Sequence, residues 1–81
     1  MVALATTDVT TAHAKGPPPA SNGDLFIDAL AQECYEGRMR SCDDLYDWTW
    51  WSGDTFEDYG YTCGYRLSYD AVDNRYCTAI W

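Results

Sequence analysis

Acidic side chains are the first candidates for chemistry in this 81-residue chain. Six of them fall within residues 43–58: Asp43, Asp44, Asp47, Asp54, Glu57 and Asp58. A glycosidase needs two carboxyl groups held at a fixed separation in a cleft, and a chain this short buries too little surface to build one. We therefore interpret these residues as helix caps and solvated helix faces. Calcium is an alternative, although residues 70–74 lack the alternating ligands and the glycine of an EF-hand.

A nucleophile with an activating base is not recognisable in the sequence. The serines have no histidine to activate them, since the only histidine is His13 in the N-terminal part, and paired cysteines cannot attack a substrate. The four arginines, Arg38, Arg40, Arg66 and Arg75, are interpreted as surface ion-pair partners of the acids. The sequence thus predicts a protein that is not an enzyme and that uses no cofactor and no metal.

The cysteines indicate the compartment. They are Cys34, Cys42, Cys63 and Cys77, and they include no C-x-x-C pair of the kind that zinc sites usually contain. Small domains with too little core are stapled by disulfides in oxidising compartments. We therefore predict an extracytoplasmic protein, secreted or at the cell surface, although residues 1–11 lack the basic and apolar regions of an export signal.

Four cysteines allow three pairings. Gly37 separates two predicted helices, and two antiparallel helices bring the sulfurs together if Cys34 lies near the end of the first and Cys42 one turn into the second. This geometry favours Cys34 with Cys42, which leaves Cys63 with Cys77. The other two pairings remain open at this point.

The composition changes at about residue 23. Residues 1–23 hold all three prolines and carry no net charge, whereas residues 24–81 hold twelve acids against four arginines and therefore the whole net charge of −8. This change predicts a flexible or docking arm over residues 1–23 and an acidic, disulfide-stapled domain over residues 24–81. The acidity argues against nucleic acid or an anionic membrane surface as a partner. No run approaches the roughly 18 apolar residues of a membrane span.

Hydrophobic spacing predicts a helical hairpin. The first helix begins near Ser21, with Ser21 as the N-cap and Asp24 as the third helical residue of a capping box, and it ends at Gly37. The second helix covers residues 38–46 or 38–48, with its apolar residues on one face.

The remainder predicts a third helix and an irregular C-terminal part. The third helix begins at Asp54, carries Cys63 on its buried face and has Gly64 just after its C-cap. Residues 66–80 alternate weakly, so a short β-hairpin and an extended wrap fit them equally well. The predicted fold class is mainly α: a small disulfide-stapled domain made of a helical hairpin and a third short helix, with a short C-terminal β-hairpin as one alternative, preceded by an extended arm.

A resemblance to a known family lies in the order of cysteines, glycines and aromatic residues. The matching positions are Leu30-Ala31, Cys34, Gly37, Met39, Cys42-Asp43, Leu45-Tyr46, Tyr59-Gly60, Thr62-Cys63-Gly64, Arg66 and Cys77. They resemble a small cysteine-containing domain of actinobacterial exported and membrane-anchored proteins, which typically follows a Pro-rich linker. Two departures are Tyr65, where that pattern has glycine, and residues 48–51, where it has a Ser-Pro segment. The spacing from Cys34 to Cys42 also resembles cysteine-rich Sel1-type helical repeats, which implies a bridge between them and a protein-interaction scaffold.

Aromatic residues provide the clearest functional signal. Four Trp, seven Tyr and two Phe lie within residues 26–81, more than so small a core can enclose. We predict an accessory domain that binds a protein partner through Trp48, Trp50, Trp51, Tyr61 and Tyr65. The alternatives are rings that only fill the core, a structural subunit of a large assembly that docks by its N-terminal arm, and a module that binds cell-wall glycan.

Overall fold

The protein is mainly α-helical and is held by two disulfides. The computed structural model describes residues 13–21 and 23–81. Five helices lie within this part of the chain: α1 (Leu25–Tyr35), α2 (Met39–Thr49), α3 (Thr55–Tyr61), α4 (Tyr69–Val72) and α5 (Cys77–Ile80). The helical, disulfide-stapled fold class is therefore confirmed. Most of the arm predicted over residues 1–23, namely residues 1–12 and 22, lies outside the described residues.

Helix α1 begins later than the sequence predicts. Its N-cap is Asp24, whose Oδ1 accepts hydrogen bonds from the backbone N–H groups of Phe26 and Ile27 at 3.0 and 3.2 Å. The prediction of Ser21 as the N-cap is wrong, because the Ser21 hydroxyl instead donates to the carboxylate of Asp28. Serine and aspartate are comparable N-cap residues, and the carboxylate of Asp24 also complements the positive helix N terminus.

The α1–α2 hairpin forms as predicted. Gly37 ends α1 with a φ of 109°, and its N–H donates to the carbonyl of Cys34 at 3.1 Å, as in a glycine C-cap. Cys34 is bonded to Cys42, with 4.7 Å between their Cα atoms. The two helices bury one face each against a common core, whose largest members are Ile27, Leu30, Met39, Leu45, Phe56, Tyr59 and Val72.

Helix α3 lies unusually close to α2. A Cβ atom on Gly60 would stand 2.7 Å from the backbone nitrogen of Tyr46 and 2.8 Å from the carbonyl oxygen of Cys42, so only glycine fits. Asp54 caps α3, as predicted, by accepting from the N–H groups of Phe56 and Glu57. At this point the backbones of α2 and α3 contact each other directly, because glycine has no side chain to separate them.

The end of α3 differs from the prediction. The helix stops at Tyr61, and Cys63, not Gly64, is the residue after the C-cap, with a left-handed φ of 57°. The N–H of Cys63 donates to Gly60 and that of Gly64 to Tyr59, at 3.1 and 2.8 Å, which satisfies the last carbonyls of the helix. Cys63 thus lies after the helix rather than on its face.

The C-terminal part forms two short helices, so both predicted alternatives for it, a β-hairpin and an extended wrap, are wrong. Ser68 caps α4 by accepting from the N–H of Ala71 at 3.2 Å. Asp43 on α2 caps α5: it accepts from the N–H groups of Cys77 and Thr78 at 2.6 and 3.2 Å and from the Thr78 hydroxyl at 2.8 Å. Helices this short are unstable alone, and tertiary contacts of this kind are invisible to local sequence patterns.

The second disulfide fixes α5 to the end of α3. It joins Cys63 to Cys77, with 5.8 Å between their Cα atoms. The structure therefore has the two pairings that helix geometry favours. Together with the Asp43 cap, this bond explains how a four-residue helix is held in place.

Two arginines have roles that differ from the predicted surface ion pairs. Arg66 is buried, and its guanidinium donates to the carbonyls of Cys34, Cys63 and Tyr35 at 3.0, 2.8 and 3.1 Å. Arg75 donates to the last carbonyls of α4 through Nε and Nη2. Free carbonyls at helix ends attract these cations, and the planar guanidinium reaches several of them at once.

Residues 14–16 of the arm contact the acidic domain itself. The N–H of Lys15 donates to the carbonyl of Gly64 at 3.2 Å, and the buried Tyr59 hydroxyl donates to the carbonyl of Gly16 at 3.2 Å. Ala14 lies over Gly64, where an added Cβ would meet the Ala14 methyl at 3.4 Å. We call these contacts the arm contact.

Candidate aromatic interface

Four large aromatic side chains are exposed near the start of α1 and the end of α2. The exposed fractions are 51% for Phe26, 59% for Trp48, 58% for Trp50 and 71% for Trp51. Leu45 and Thr49 occupy the buried face of α2, so Trp48 and Trp50 point outward. This arrangement follows from helical periodicity, in which positions three and four apart share a face.

A turn after α2 fixes the position of Trp51. The Thr49 hydroxyl donates to the Leu45 carbonyl at 2.6 Å, and the Thr49 carbonyl accepts from both the N–H and the hydroxyl of Ser52, at 2.8 and 2.6 Å. These bonds satisfy carbonyls at the helix end and reverse the chain toward α3. Trp51 therefore lies on a closed turn rather than in an open loop.

Trp48 and Trp51 line a surface groove with Phe26. The rings of Phe26 and Trp48 meet edge to face, with their centroids 5.3 Å apart and an interplanar angle of 83°. The groove encloses about 300 Å³, and its lining residues are Asp24, Phe26, Ile27, Trp48, Thr49, Trp51, Ser52, Asp54 and Phe56. We call it the aromatic groove. Buried Ile27 and Phe56 provide its apolar floor.

Two exposed carboxylates stand at the edge of the aromatic groove. Asp24 and Asp54 are the N-caps of α1 and α3, and both helices begin at the groove. Each uses Oδ1 for its two cap bonds. Among the described residues, Oδ2 of Asp54 accepts no hydrogen bond. The lining residues include two acids and no basic side chain.

The other residues predicted for partner binding lie elsewhere. Trp50 is exposed but does not line the aromatic groove. Tyr65 packs edge to face on buried Tyr59, with centroids 4.9 Å apart. Tyr61 lies between Tyr46 and Tyr69, with centroid distances of 5.3 and 4.8 Å. The structure thus brings Trp48 and Trp51 together and separates Trp50, Tyr61 and Tyr65 from them.

Phe26, Asp24 and Asp54 are groove residues that the sequence did not place there. Phe26 flanks the predicted core face of the first helix, and the two aspartates carry a recognisable N-cap pattern. These signals describe helix starts and give no distance between α1 and α3. Only the packing of both helices on α2 brings their N termini to one groove.

A second cleft of about 240 Å³ lies between α2, α3 and the C-terminal part. Its lining includes Asp43, Tyr46, Tyr61, Arg75 and Tyr76. Burial raises the pKa of Asp43, which remains bound to Cys77 and Thr78 through both oxygens. The acid next to this cleft therefore acts as a helix cap.

Two carboxylates, one on α2 and one on α3, accept hydrogen bonds from tyrosines of the C-terminal part. The Tyr69 hydroxyl donates to Asp58, and this bond raises the pKa of Tyr69 to about 12. The Tyr76 hydroxyl donates to Asp47 at 2.9 Å, which raises the pKa of Tyr76. These acids tie side chains of the C-terminal part to α2 and α3.

Residues 13–21 and 23–81 contain no candidate metal site and no candidate membrane span. No group of three or more His, Cys, Asp or Glu side chains could hold a metal ion there. In the same part of the chain, no helix has the length and apolar character needed to cross a membrane.

Comparison with known proteins found no match to a family model, a curated protein or a solved structure. The resemblance to an actinobacterial exported domain and to a Sel1-type hairpin stays a prediction.

Proposed function

We propose that the chain is a non-enzymatic extracytoplasmic accessory domain that binds a protein partner through the aromatic groove. The exposure of Phe26, Trp48 and Trp51 around one apolar floor supports this proposal. Clustered exposed aromatic rings are the usual anchors of protein interfaces, where a few large side chains supply most of the binding energy. Trp50, Tyr61 and Tyr65 do not line the aromatic groove, so the proposed binding does not involve them.

The extracytoplasmic part of the proposal is supported by the two disulfides, which indicate an oxidising compartment. The resemblance to an exported actinobacterial domain agrees with a secreted or cell-surface location. Both bonds are buried at Cys34, Cys42, Cys63 and Cys77, as expected of structural rather than redox-active cysteines.

A glycan-binding module is a second candidate. Trp51 offers a flat ring that is 71% exposed, with the carboxylate of Asp54 lining the same groove, and sugars stack on such rings while carboxylates accept their hydroxyls. Titration with peptidoglycan or arabinogalactan fragments tests it through the tryptophan fluorescence. The structural-subunit alternative depends on the arm over residues 1–23, of which residues 1–12 and 22 lie outside the described residues.

The protein-binding proposal can be tested by site-specific photo-crosslinking. Position 25 is suitable because Leu25 is 82% exposed and precedes Phe26, so p-benzoylphenylalanine there leaves the groove rings intact. The labelled chain is mixed with an envelope fraction of the native host and irradiated. We expect one discrete protein adduct that an excess of unlabelled wild-type chain removes and that an excess of the Trp48→Ala/Trp51→Ala variant does not.

Two controls make this result specific. Trp50→Ala removes an equally exposed tryptophan outside the groove and should compete as well as the wild type. A probe at Asp70, in the first turn of α4, should give no such adduct. The proposal is wrong if the Trp48→Ala/Trp51→Ala variant competes as well as the wild type, or if position 25 gives no adduct.

A further inference from the structure

We infer that the aromatic groove takes a cationic segment of its partner, one that places a Lys or Arg side chain between apolar residues. This inference rests on the proposed function and specifies the chemistry of the partner. Its basis is the combination of an apolar floor, three exposed rings and two carboxylates in one groove.

The apolar part of the groove selects against a purely charged ligand. Its floor is formed by Ile27 and Phe56, which are almost completely buried, and its walls by Phe26, Trp48 and Trp51. About 300 Å³ of space suits one or two side chains of a peptide rather than a folded surface. A leucine-sized residue of the partner would cover the floor and remove apolar area from water.

The charged part of the groove selects for a cation. Asp24 and Asp54 are exposed, and Oδ2 of Asp54 points to no hydrogen-bond donor among the described residues. A guanidinium or ammonium group bound in the groove would share it with the ring of Trp51, which lines it together with Asp54. Cation–π attraction to tryptophan and a carboxylate pair therefore act on the same group.

Helix dipoles do not cancel this charge. Each of the two helix N termini contributes roughly half a positive unit, and the α2 C terminus, which also lines the groove, contributes roughly half a negative unit. The two negative charges of Asp24 and Asp54 exceed the net charge of these three helix termini, which is roughly half a positive unit. Arg38 and Arg40 lie at the opposite end of α2, roughly 15 Å along its axis, so they do not neutralise the groove.

The charge also argues against a second copy of this chain as the occupant. Each copy carries a net charge of −8 and presents two carboxylates at the groove, so two grooves would bring like charges together. A partner segment with Lys or Arg removes this repulsion. The complementary partner is therefore a basic, partly apolar segment of another protein.

Three synthetic peptides test this chemistry directly. They share the sequence acetyl-Gly-Leu-X-Leu-Leu-X-Leu-Gly-amide, in which X is arginine, its uncharged isostere citrulline, or glutamate. Binding to the intact chain is followed through the indole N–H signals in ¹H–¹⁵N NMR spectra, assigned with single Trp→Phe variants. We expect the arginine peptide to shift Trp48 and Trp51, to leave Trp50 and Trp81 unchanged, and to bind about tenfold tighter than the citrulline peptide.

Asparagine variants provide the matched control in the protein. The Asp24→Asn/Asp54→Asn variant keeps an oxygen for both helix caps but loses the charges, because asparagine caps helices about as well as aspartate. It should bind the arginine and citrulline peptides equally. Asp70→Asn makes the same kind of charge change outside the groove. It should keep the preference for the arginine peptide over the citrulline peptide, about tenfold when measured at low salt, where screening is weak.

Several results would overturn the inference. One is equal binding of the arginine and citrulline peptides, and another is the same loss in Asp70→Asn as in the Asp24→Asn/Asp54→Asn variant. A groove that responds to peptidoglycan fragments and to none of the peptides also contradicts it.

If the crosslinked adduct depends on Trp48 and Trp51 but forms equally in the Asp24→Asn/Asp54→Asn variant, the proposed function stands and this inference falls. Without an adduct the proposed function fails, and the peptide titration still decides the inference.

Discussion

Arg66 acts as a cross-link between separate parts of the chain. Its guanidinium joins the carbonyls of Cys34 and Tyr35, at the end of α1, to that of Cys63, after α3. Carbonyls at a helix end need a donor, and those buried away from water are costly when they have none. A charged residue therefore stabilises the inside of a domain whose core is small.

We expect Arg66→Lys to lower the free energy of unfolding by about 2 kcal/mol, because one ammonium cannot reach three carbonyls arranged around a planar guanidinium. Chemical denaturation followed by circular dichroism measures the change. Arg40→Lys is the control, since Arg40 is exposed, and should alter the free energy by less than about 0.5 kcal/mol. Equal effects of the two substitutions would contradict the cross-linking role.

The sequence does not reveal this role, since an arginine in an acidic chain is expected to pair with surface acids. Asp43 is a comparable case at the level of single residues. It belongs to a run of acids that predicts solvated faces and caps, and it is indeed a cap, but of a helix whose first residue is 34 positions away. Residue type indicated the chemistry in both cases, whereas the partners depend on tertiary structure.

At the scale of elements, the contact between α2 and α3 depends on Gly60. We expect Gly60→Ala to lower the free energy of unfolding by about 3 kcal/mol, since the added methyl meets the backbone of α2 at Tyr46 and Cys42, which cannot rotate away. Thermal and chemical denaturation measure this loss. Gly53→Ala is the control: its methyl meets open space, and its positive φ of 68° costs only about 1 kcal/mol. A smaller loss at Gly60 than at Gly53 would contradict the close approach.

The arm contact gives a prediction with its own pH dependence. Tyr59→Phe removes the hydrogen bond to the Gly16 carbonyl, so we expect trypsin to cleave after Lys15 about three- to tenfold faster. Tyr35→Phe, at an exposed position, should leave the rate unchanged. If both variants are cleaved at the wild-type rate, the arm contact does not hold the arm.

Burial raises the pKa of Tyr59 from 10.0 to about 12. The folded state therefore holds this proton more tightly than the unfolded chain, and the stability that this provides is complete below about pH 10 and is lost as the pH rises through about 12. Absorbance of tyrosinate at 295 nm should show a late-titrating tyrosine that Tyr59→Phe removes. Tyr69 should titrate late for a different reason, its hydrogen bond to Asp58.

Elements with strong local signals were predictable, and the others were not. Helices α1, α2 and α3 have caps and periodic apolar residues, and the sequence indicates each of them to within a few residues. The start of α1 was misplaced because both Ser21 and Asp24 are good N-cap residues, and only the structure decides between them. Helices α4 and α5 have four residues each. Two residues outside α5 hold it in place: Asp43 through hydrogen bonds and Cys63 through the disulfide to Cys77.

At the scale of the whole molecule, two disulfides supply stability that a small core cannot. By loop-closure entropy, the Cys34–Cys42 bond contributes about 2.5 kcal/mol and the longer Cys63–Cys77 loop about 3 kcal/mol. These values are large for a domain of this size, whose total stability is of the order of 5 kcal/mol.

We expect the Cys63→Ser/Cys77→Ser variant to lose about 3 kcal/mol and the Cys34→Ser/Cys42→Ser variant slightly less, as the loop lengths require. The variant without both bonds should lack the near-ultraviolet circular dichroism of packed tryptophan and tyrosine at 25 °C. Reduction of the wild-type chain in denaturant, followed by refolding with the thiols kept reduced, gives the matching measurement. A reduced chain with native near-ultraviolet signal would show that packing alone suffices.

The candidate site illustrates what a whole-molecule arrangement adds to local patterns. Trp48, Trp50 and Trp51 were predicted as binding residues from their type, and the structure places Trp48 and Trp51 in the aromatic groove. Tyr61 and Tyr65 were predicted alongside them but pack against other tyrosines. Tyrosine occurs both in cores and at interfaces, so the sequence alone could not separate the two uses.

The positions of the two disulfide loops have a mechanical consequence. Lys15 is hydrogen-bonded to Gly64, and Cys77 is disulfide-bonded to the adjacent residue Cys63. Tension between the arm and the C terminus therefore acts first on the arm contact. Beyond it, the disulfide loops, with sequence separations of 8 and 14 residues, cannot lengthen. The extensible segments are those before residue 34 and between residues 42 and 63, and they contain the groove rings. A pulling force would therefore unfold the segments that form the aromatic groove, while the loop between Cys63 and Cys77 could not extend.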